Sequence, residues 1–365
     1  MKKVHLIVGA RPNFMKMAPL YKEFKKYPNL FDVRLIHTGQ HYDERMSKLF
    51  FIDLEMPEPD IYLGVGSGSH GAQTAKILDL YEQEILAERP DLIIVAGDVN
   101  STIACAMAAV KLHIPVAHLE AGLRSFDRTM PEEINRLLTD VICDYLLTPS
   151  LDGNQHLINE GISKDKIYFV GNIMIDSLIQ FREKAESSTI LEELNMNSGE
   201  YCLITLHRPS NVDTKEGLEI VLNALKEISK KIKIVFPIHP RTQKNIDKFG
   251  MREFVDSMGN LILIPPAGYL DFMKLQMNAK FLLTDSGGLQ EESTYFGIPC
   301  LTLRENTERP ITISEGTNKL VKLNTNEIIK ESMDIIAGNV KKGRVPEKWD
   351  GNTAKRIVEL FIKEL

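Results

Sequence analysis

Several short stretches put ionisable side chains where apolar runs stop. In AGDVNS (96–101) Asp98 follows a run of five apolar residues, and in HLEAGLRS (118–125) Glu120 follows another. Each should be partly desolvated, an environment that moves a carboxylate toward exchanging protons near neutral pH. MPEEINR (130–136) adds Glu132 and Glu133, although Pro followed by two acids is also an ordinary helix beginning. TLHRPSNVD (205–213) sets His207 and Arg208 side by side after the run Tyr201 to Leu206. Carboxylates from separate loops together with a histidine suit general acid/base work, each such group contributing about 10²–10⁴-fold.

A second set of stretches suits an anion. TDSGGLQEESTYFG (284–297) reads as a strand end, a Ser286-Gly287-Gly288 turn and a helix start. Two glycines allow close backbone approach, and a helix N-terminus offers amides to a phosphate. The Gly-Gly pair alone would equally fit a βα turn capped by Asp285 or Ser286. Glu291-Glu292 one turn on, with Arg304 and Arg309 in LRENTERP, shifts the reading to a nucleotide, since an acid beyond a phosphate turn suits ribose hydroxyls. GARPNFMKMAP (9–19) places Arg11 and Lys16 a turn apart around a helix start marked by Pro12. Cations there oppose the helix dipole unless an anion sits between them. Taken singly, each reads as a solvated surface cation. HTGQHYDERM (37–46) and IHPRT (238–242) supply His37, Gln40, His41, His239 and Arg241, but without HExxH or clustered cysteines they do not read as a metal site.

The elements that must position these groups are legible from the apolar rhythm. VHLIVGA, DVRLIHTG, DLIIVAGD, PVAHLEAG, YLLTPS and KIYFVGN form one series of short strands. YCLITLHR, IKIVFPIHP, LILIPP, FLLTDSGG and PCLTLREN form another. Strands alternating with helical patterns predict α/β architecture: two Rossmann-like, doubly wound parallel sheets. The polar groups above nearly all follow strand ends, where open parallel sheets bind ligands. If both sheets turn those ends to a shared cleft, one ligand meets both sets. Its length of 365 residues favours two domains, with the boundary after Gly171-Asn172 and the helical, charged stretch 173–200 between the two series.

Composition narrows the partners. A net charge of −6 and a pI near 5.9 exclude the basic surface that nucleic acid or anionic membrane requires. The opening MKKVHLIVGARP is interrupted by Arg11-Pro12 before a signal core or span could form, so the cytoplasm is expected. Cys105, Cys143, Cys202 and Cys300 stand singly in mostly apolar surroundings, as buried thiols do in a reducing compartment.

Taken together, GARPNFMKMAPL, HTGQHY, GDVNST, HLEAGLRS, PEEINR, TLHRPSNVD, IHPRT, TDSGGLQEE and LRENTERP resemble the non-hydrolysing UDP-N-acetylglucosamine 2-epimerase family, in order and spacing, over essentially the whole chain. The resemblance implies a GT-B-like pair of Rossmann domains with a cleft between them. It implies 1–171 plus 348–365 as the sugar-binding, catalytic domain, 172–347 as the UDP-binding domain, and hinges near 171–173 and before 348. It further implies a UDP-sugar substrate, no metal or nicotinamide cofactor, and a homodimer. Residue by residue, it implies catalytic roles for Asp98, Glu120, Glu132 and His207, and a place facing the sugar diphosphate for Arg11 and Lys16. Arg208 and His239 join the substrate-binding set. Ser286, Gly287 and Gly288 would hold the diphosphate, Glu292 the ribose, and Arg309 would reach the phosphates. An activating second UDP-sugar site, where a member has one, would lie near Gln40, His41 and His239. Other readings are a hydrolysing relative, an epimerase of a 2,3-diacetamido uronic acid sugar, a retaining glycosyltransferase and a non-catalytic UDP-sugar sensor.

Overall fold

The computed structural model describes residues 1–40 and 55–365. Runs rich in Val, Ile and Leu become strands buried on both faces, and the sheets they form are parallel throughout. In the first unit these are β1 Lys2–Val8, β2 Phe31–His37, β3 Ile61–Tyr62, β4 Leu92–Ala96, β5 Val116–Leu119, β6 Tyr145–Thr148 and β7 Ile167–Phe169. Their order is β3-β2-β1-β4-β5-β6-β7. In the second unit β8 Tyr201–Thr205, β9 Lys233–Pro237, β10 Leu261–Ile264, β11 Phe281–Thr284, β12 Cys300–Leu303 and β13 Asn318–Val321 are ordered β10-β9-β8-β11-β12-β13. Both orders reverse direction once, between β1 and β4 and between β8 and β11. That reversal is the topological switch point, where doubly wound sheets open a ligand crevice beyond the strand ends.

The first core joins Ile7, Ile93, Val95 and Val116 to Ile77, Tyr81 and Ile85 of the helix His70–Ala87. The alanine-rich helix Asn100–Lys111, a strong helix former with small side chains, is buried along most of its length between them. The second core joins Ile204, Ile234, Phe236, Leu283 and Leu301 to Leu218, Val221 and Leu225 of the helix Lys215–Ser229. Each quoted apolar run forms a strand. β3 and β13 escape the sequence reading because β3 is only two residues long and Asn318-Lys319-Leu320-Val321 opens on two polar residues. All four cysteines are free and buried.

Contacts divide the chain into 1–180 with 347–365, and 181–346. The boundary read at 171 falls just before the helix Ile173–Glu186, whereas the contact division falls within that helix. The returning C-terminal segment is pinned to the first unit. Trp349 is buried and its indole N–H donates to the Pro149 carbonyl at 3.0 Å. Asp176 receives the amides of Thr353 and Ala354, at 3.2 and 2.8 Å, and so satisfies the N-terminus of the helix Thr353–Glu364. That helix buries Ile357, Val358 and Phe361, the last edge-on to Tyr145. Trp349→Ala should therefore destabilise the protein by about 3–5 kcal/mol. Urea melts followed by circular dichroism check this, because the substitution removes the sequence's single tryptophan.

Candidate active site

In the first unit the candidate residues gather at the β1/β4 switch. Pro12 sits at the start of the helix Arg11–Phe24, as its position predicts. Asn13 locks that start: its side-chain oxygen accepts the Ala10 amide at 3.0 Å, and its amide donates to the Ala96 carbonyl at 2.9 Å. One turn on, Lys16 turns its ammonium onto the Glu120 carboxylate, and both side chains are buried. The anion expected near this helix start is thus supplied to Lys16 by the protein itself. Glu120 follows β5 with φ of 70°, a left-handed conformation unusual for glutamate and of the kind found at functional sites. Gly97 makes room for the pair. Its φ is 68°, and a Cβ there would lie 3.0 Å from Lys16 Nζ and 3.7 Å from Glu120 Oε2.

Asp98 is held by Arg136, whose Nη2 and Nε donate to one carboxylate oxygen at 2.7 and 3.0 Å. Arg136 also pairs with Glu133, which accepts the Ser125 and Phe126 amides at 3.0 and 2.8 Å. Glu133 is thereby a structural anchor, as the ordinary helix-start reading had it. Glu132 has a different place. It lines, with Asp98, Asn135, Asn100, His70 and Gln40, a polar cavity of ≈ 250 Å³. The structure therefore brings Asp98 and Glu132 onto one cavity, and seats Glu120 in the adjoining buried ion pair. Gln40 lines the same cavity while its side-chain oxygen receives the Ser101 amide and hydroxyl, at 2.9 and 2.6 Å. Arg136 and Asn13 went unread, although Arg136 stands one turn after Glu132 on the same helix, the spacing at which charges meet. The side chain of Arg11, and all of His41, lie outside the described residues.

In the second unit the candidate residues gather at the β8/β11 switch. Asp285 is buried and does not cap the helix Gly287–Phe296. It instead accepts the amides of His207 (3.1 Å) and Arg208 (2.9 Å) and the side-chain amide of Asn211 (3.0 Å). Its other contact is His207 Nδ1 at 3.0 Å. Burial alone would raise the Asp285 carboxyl, but the His207 ring and these amides override it and hold the group below its ordinary range. Fixing Nδ1 orients the imidazole and presents Nε2 as the atom available to a proton or a ligand. His239 caps the helix Pro240–Lys248 by accepting the Arg241 amide at 3.2 Å. Burial, followed by the charges of His207 and Arg241, lowers its pKa.

The N-cap residue Ser286 makes no side-chain bond to the helix Gly287–Phe296, which leaves the first amides of that helix without a cap from it. At Gly288 a Cβ would meet nothing within 4 Å. At Gly287 it would strike Glu308 Oε1 at 2.6 Å and Arg309 Nη1 at 2.7 Å. Arg309 thus lies directly across the amide cluster that Ser286 begins. It is held there by Glu308 (2.6 Å) and Glu291 (2.9 Å), while Arg304 braces Glu308 at 2.7 Å. Glu292 is buried beside Glu291. Burial first, and then the Glu291 charge, pushes its pKa up to about 8, against a hydrogen bond from Gln276 that pulls it down.

One sheet thus ends in helix-start amides beside a braced guanidinium, and the other in carboxylates on a cavity. Comparison with known proteins supplies the class. The family model for UDP-N-acetylglucosamine 2-epimerase matches residues 22–362. A UDP-N-acetylglucosamine 2-epimerase homolog of Methanococcus maripaludis is 47% identical over 362 residues, 98% of this chain and 99% of its own. The UDP-2,3-diacetamido-2,3-dideoxy-D-glucuronate 2-epimerase of Pseudomonas aeruginosa is 39% identical, with 99% of each chain covered. The crystal structure of the Methanocaldococcus jannaschii UDP-GlcNAc 2-epimerase in complex with UDP-GlcNAc and UDP is 42% identical, covers 99% of both chains and gives a TM-score of 0.90. The chain belongs to the UDP-N-acetylglucosamine 2-epimerase family, a family of isomerases, and has its GT-B-like pair of parallel-sheet α/β units.

Two outcomes follow from this geometry. Lys16→Met and Glu120→Gln should each cost about 3–5 kcal/mol by stranding a buried charge, while the double variant should cost less than the sum; a double-mutant cycle in urea checks it. Glu292 has its folded pKa above the unfolded one. Its linkage contribution to stability is therefore fully present below about 4.5 and is lost as pH rises toward about 8. Glu292→Gln, which cannot ionise, should gain stability on the parent across that window, by a few kcal/mol at most. Melts from pH 5 to 8.5 would read this, and a constant difference would contradict it.

Proposed function

We propose that the protein interconverts UDP-N-acetylglucosamine and UDP-N-acetylmannosamine by eliminating and re-adding UDP. The carbon 2 proton of a sugar is too weakly acidic for direct removal to begin the reaction. Departure of UDP from carbon 1 builds oxocarbenium character that acidifies it, and in the α-linked gluco sugar that proton lies anti to the leaving oxygen. Elimination gives 2-acetamidoglucal and UDP. Protonation of the glucal from the opposite face and return of UDP give the manno epimer.

The observation that carries this reading is the cavity at the first switch point, where Asp98 and Glu132 stand together and Gly97, the residue before Asp98, abuts the Lys16–Glu120 pair. A reaction that removes a proton from one face of carbon 2 and returns it to the other needs more than one acid/base group, and these three carboxylates supply the set. The leaving diphosphate needs preorganised positive charge, which the Gly287–Gly288 amides and Arg309 supply in the second unit. His207, fixed through Nδ1 by Asp285, stands ready with Arg208 to meet a phosphate oxygen or protonate it. Glu292 is the ribose partner in this reading.

Asp98→Asn should lower kcat by about 10²–10⁴-fold while leaving UDP affinity, measured by calorimetry, within a few-fold. A protein that only senses the sugar nucleotide would show no turnover to lose. Proton NMR of the protein with UDP-N-acetylglucosamine in deuterated water should show UDP-N-acetylmannosamine carrying deuterium at carbon 2. Free N-acetylmannosamine with UDP would place the chain with hydrolysing enzymes instead. Turnover of only the 2,3-diacetamido uronic acid nucleotide would move the substrate to that of the Pseudomonas relative.

A further inference from the structure

We propose that His118 is a positioning residue that sets the geometry of Asp98 and Glu120 from behind the site. The assignment rests on the reading that those carboxylates handle the carbon 2 proton. The ladder between β4 and β5 ends at the pair Ala96 and Leu119. Immediately beyond it the chain enters the left-handed region on both strands, at Gly97 (φ 68°) and at Glu120 (φ 70°). These two turns aim Asp98 and Glu120, and past the end of the ladder few backbone bonds hold them: Gly97 N donates to Leu119 O at 3.0 Å, and Glu120 N to Leu147 O at 3.1 Å.

The buried His118 ring closes the gap. Its Nε2 meets the Gly97 carbonyl at 2.8 Å and its Nδ1 meets Asp140 Oδ1 at 2.6 Å. The other Asp140 oxygen receives the Gly122 amide at 3.1 Å and lies 2.7 Å from Arg124 Nη1. Residues 118 and 122, on either side of Glu120, are therefore tied to one carboxylate, which fixes the strained turn between them. The same ring reaches across to the peptide that precedes Asp98. One imidazole thus couples the two catalytic turns, without lining the cavity itself. Because His118 and Asp140 are both fully buried, removing the ring takes from the Gly97 carbonyl and Asp140 Oδ1 the shared partner that links them.

The test compares kcat and KM for epimerisation, and UDP binding by calorimetry, in the parent, His118→Ala and His118→Gln. Glutamine keeps a side-chain donor for the Gly97 carbonyl and most of the volume. His118→Ala should lose about 10²-fold in kcat, the scale of a small misplacement of reacting groups. Its KM and UDP affinity should stay within about three-fold, and His118→Gln should recover at least about ten-fold of the lost kcat. An active parent whose His118→Ala variant keeps kcat within about three-fold would overturn this assignment alone. So would a loss shared equally between kcat and UDP binding, or failure of both variants to fold, since either would make His118 a part of the general core. Inactivity of the parent would overturn the reaction reading, and this assignment with it.

Discussion

A charge buried at a strand end must meet an opposite charge, and the Lys16–Glu120 pair is where this constraint shapes the protein most. The two residues are 104 positions apart in sequence, yet both side chains are withdrawn from water and in contact. The contact requires Lys16 on the first turns of a helix that begins at Pro12, and Asn13 to tie that helix to the end of β4. It requires Glu120 in a left-handed turn and a residue without a Cβ at position 97. Removing either partner would strand a desolvated ion, so local strain and close backbone approach are both sustained by the pair. Buried charges are met in the same way at Arg136, by Asp98 and Glu133, and at Asp285, by His207.

The two units divide the chemistry. The first places carboxylates on a polar cavity, suited to moving protons. The second places amides, a guanidinium and an oriented imidazole at a helix start, suited to a diphosphate. In the second unit the positive charge is braced before any ligand arrives. Arg309 lies between Glu308 and Glu291 across Gly287, and Arg304 holds Glu308 from behind. Such bracing limits the side-chain entropy lost when an anion is bound, and lets the cation act where charge develops. Its cost is a pair of adjacent buried acids, which leaves Glu292 holding its proton near neutral pH.

Much of this was legible in the sequence. Apolar runs of four to five residues declare buried parallel strands, and polar residues immediately after them mark the binding edge, because open α/β sheets bind beyond their strand ends. That logic placed Asp98, Glu120, His207 and the Ser286-Gly287-Gly288 turn just beyond strands, where the structure has them; Glu132 and Glu292 were read from their helix starts, and the resemblance supplied the roles expected of them. What the sequence hid was pairing. A cap by Asp285 was one alternative for its turn, but Asp285 serves as the clamp on His207 and Arg208, since a strand-end aspartate can satisfy either set of amides and only the packing of β8 against β11 decides. Arg136 and Asp140 sit among helical residues with no local sign that each reaches a strand-end loop from the neighbouring helix. β3 and β13 lack the apolar signal because the first is two residues long and the second opens on Asn318 and Lys319.

In the proposed reaction the bond from carbon 1 to oxygen breaks while UDP stays bound. The most direct measurement uses UDP-N-acetylglucosamine with ¹⁸O in the bridge between carbon 1 and the β-phosphorus, sampled by ³¹P NMR or mass spectrometry as epimerisation proceeds. The account predicts that the label moves from the bridge to the non-bridging β-phosphate positions, at a rate comparable to deuterium entry at carbon 2. Deuterium entering carbon 2 while the label stays in the bridge would contradict it, because the proton would then be leaving a sugar still joined to UDP.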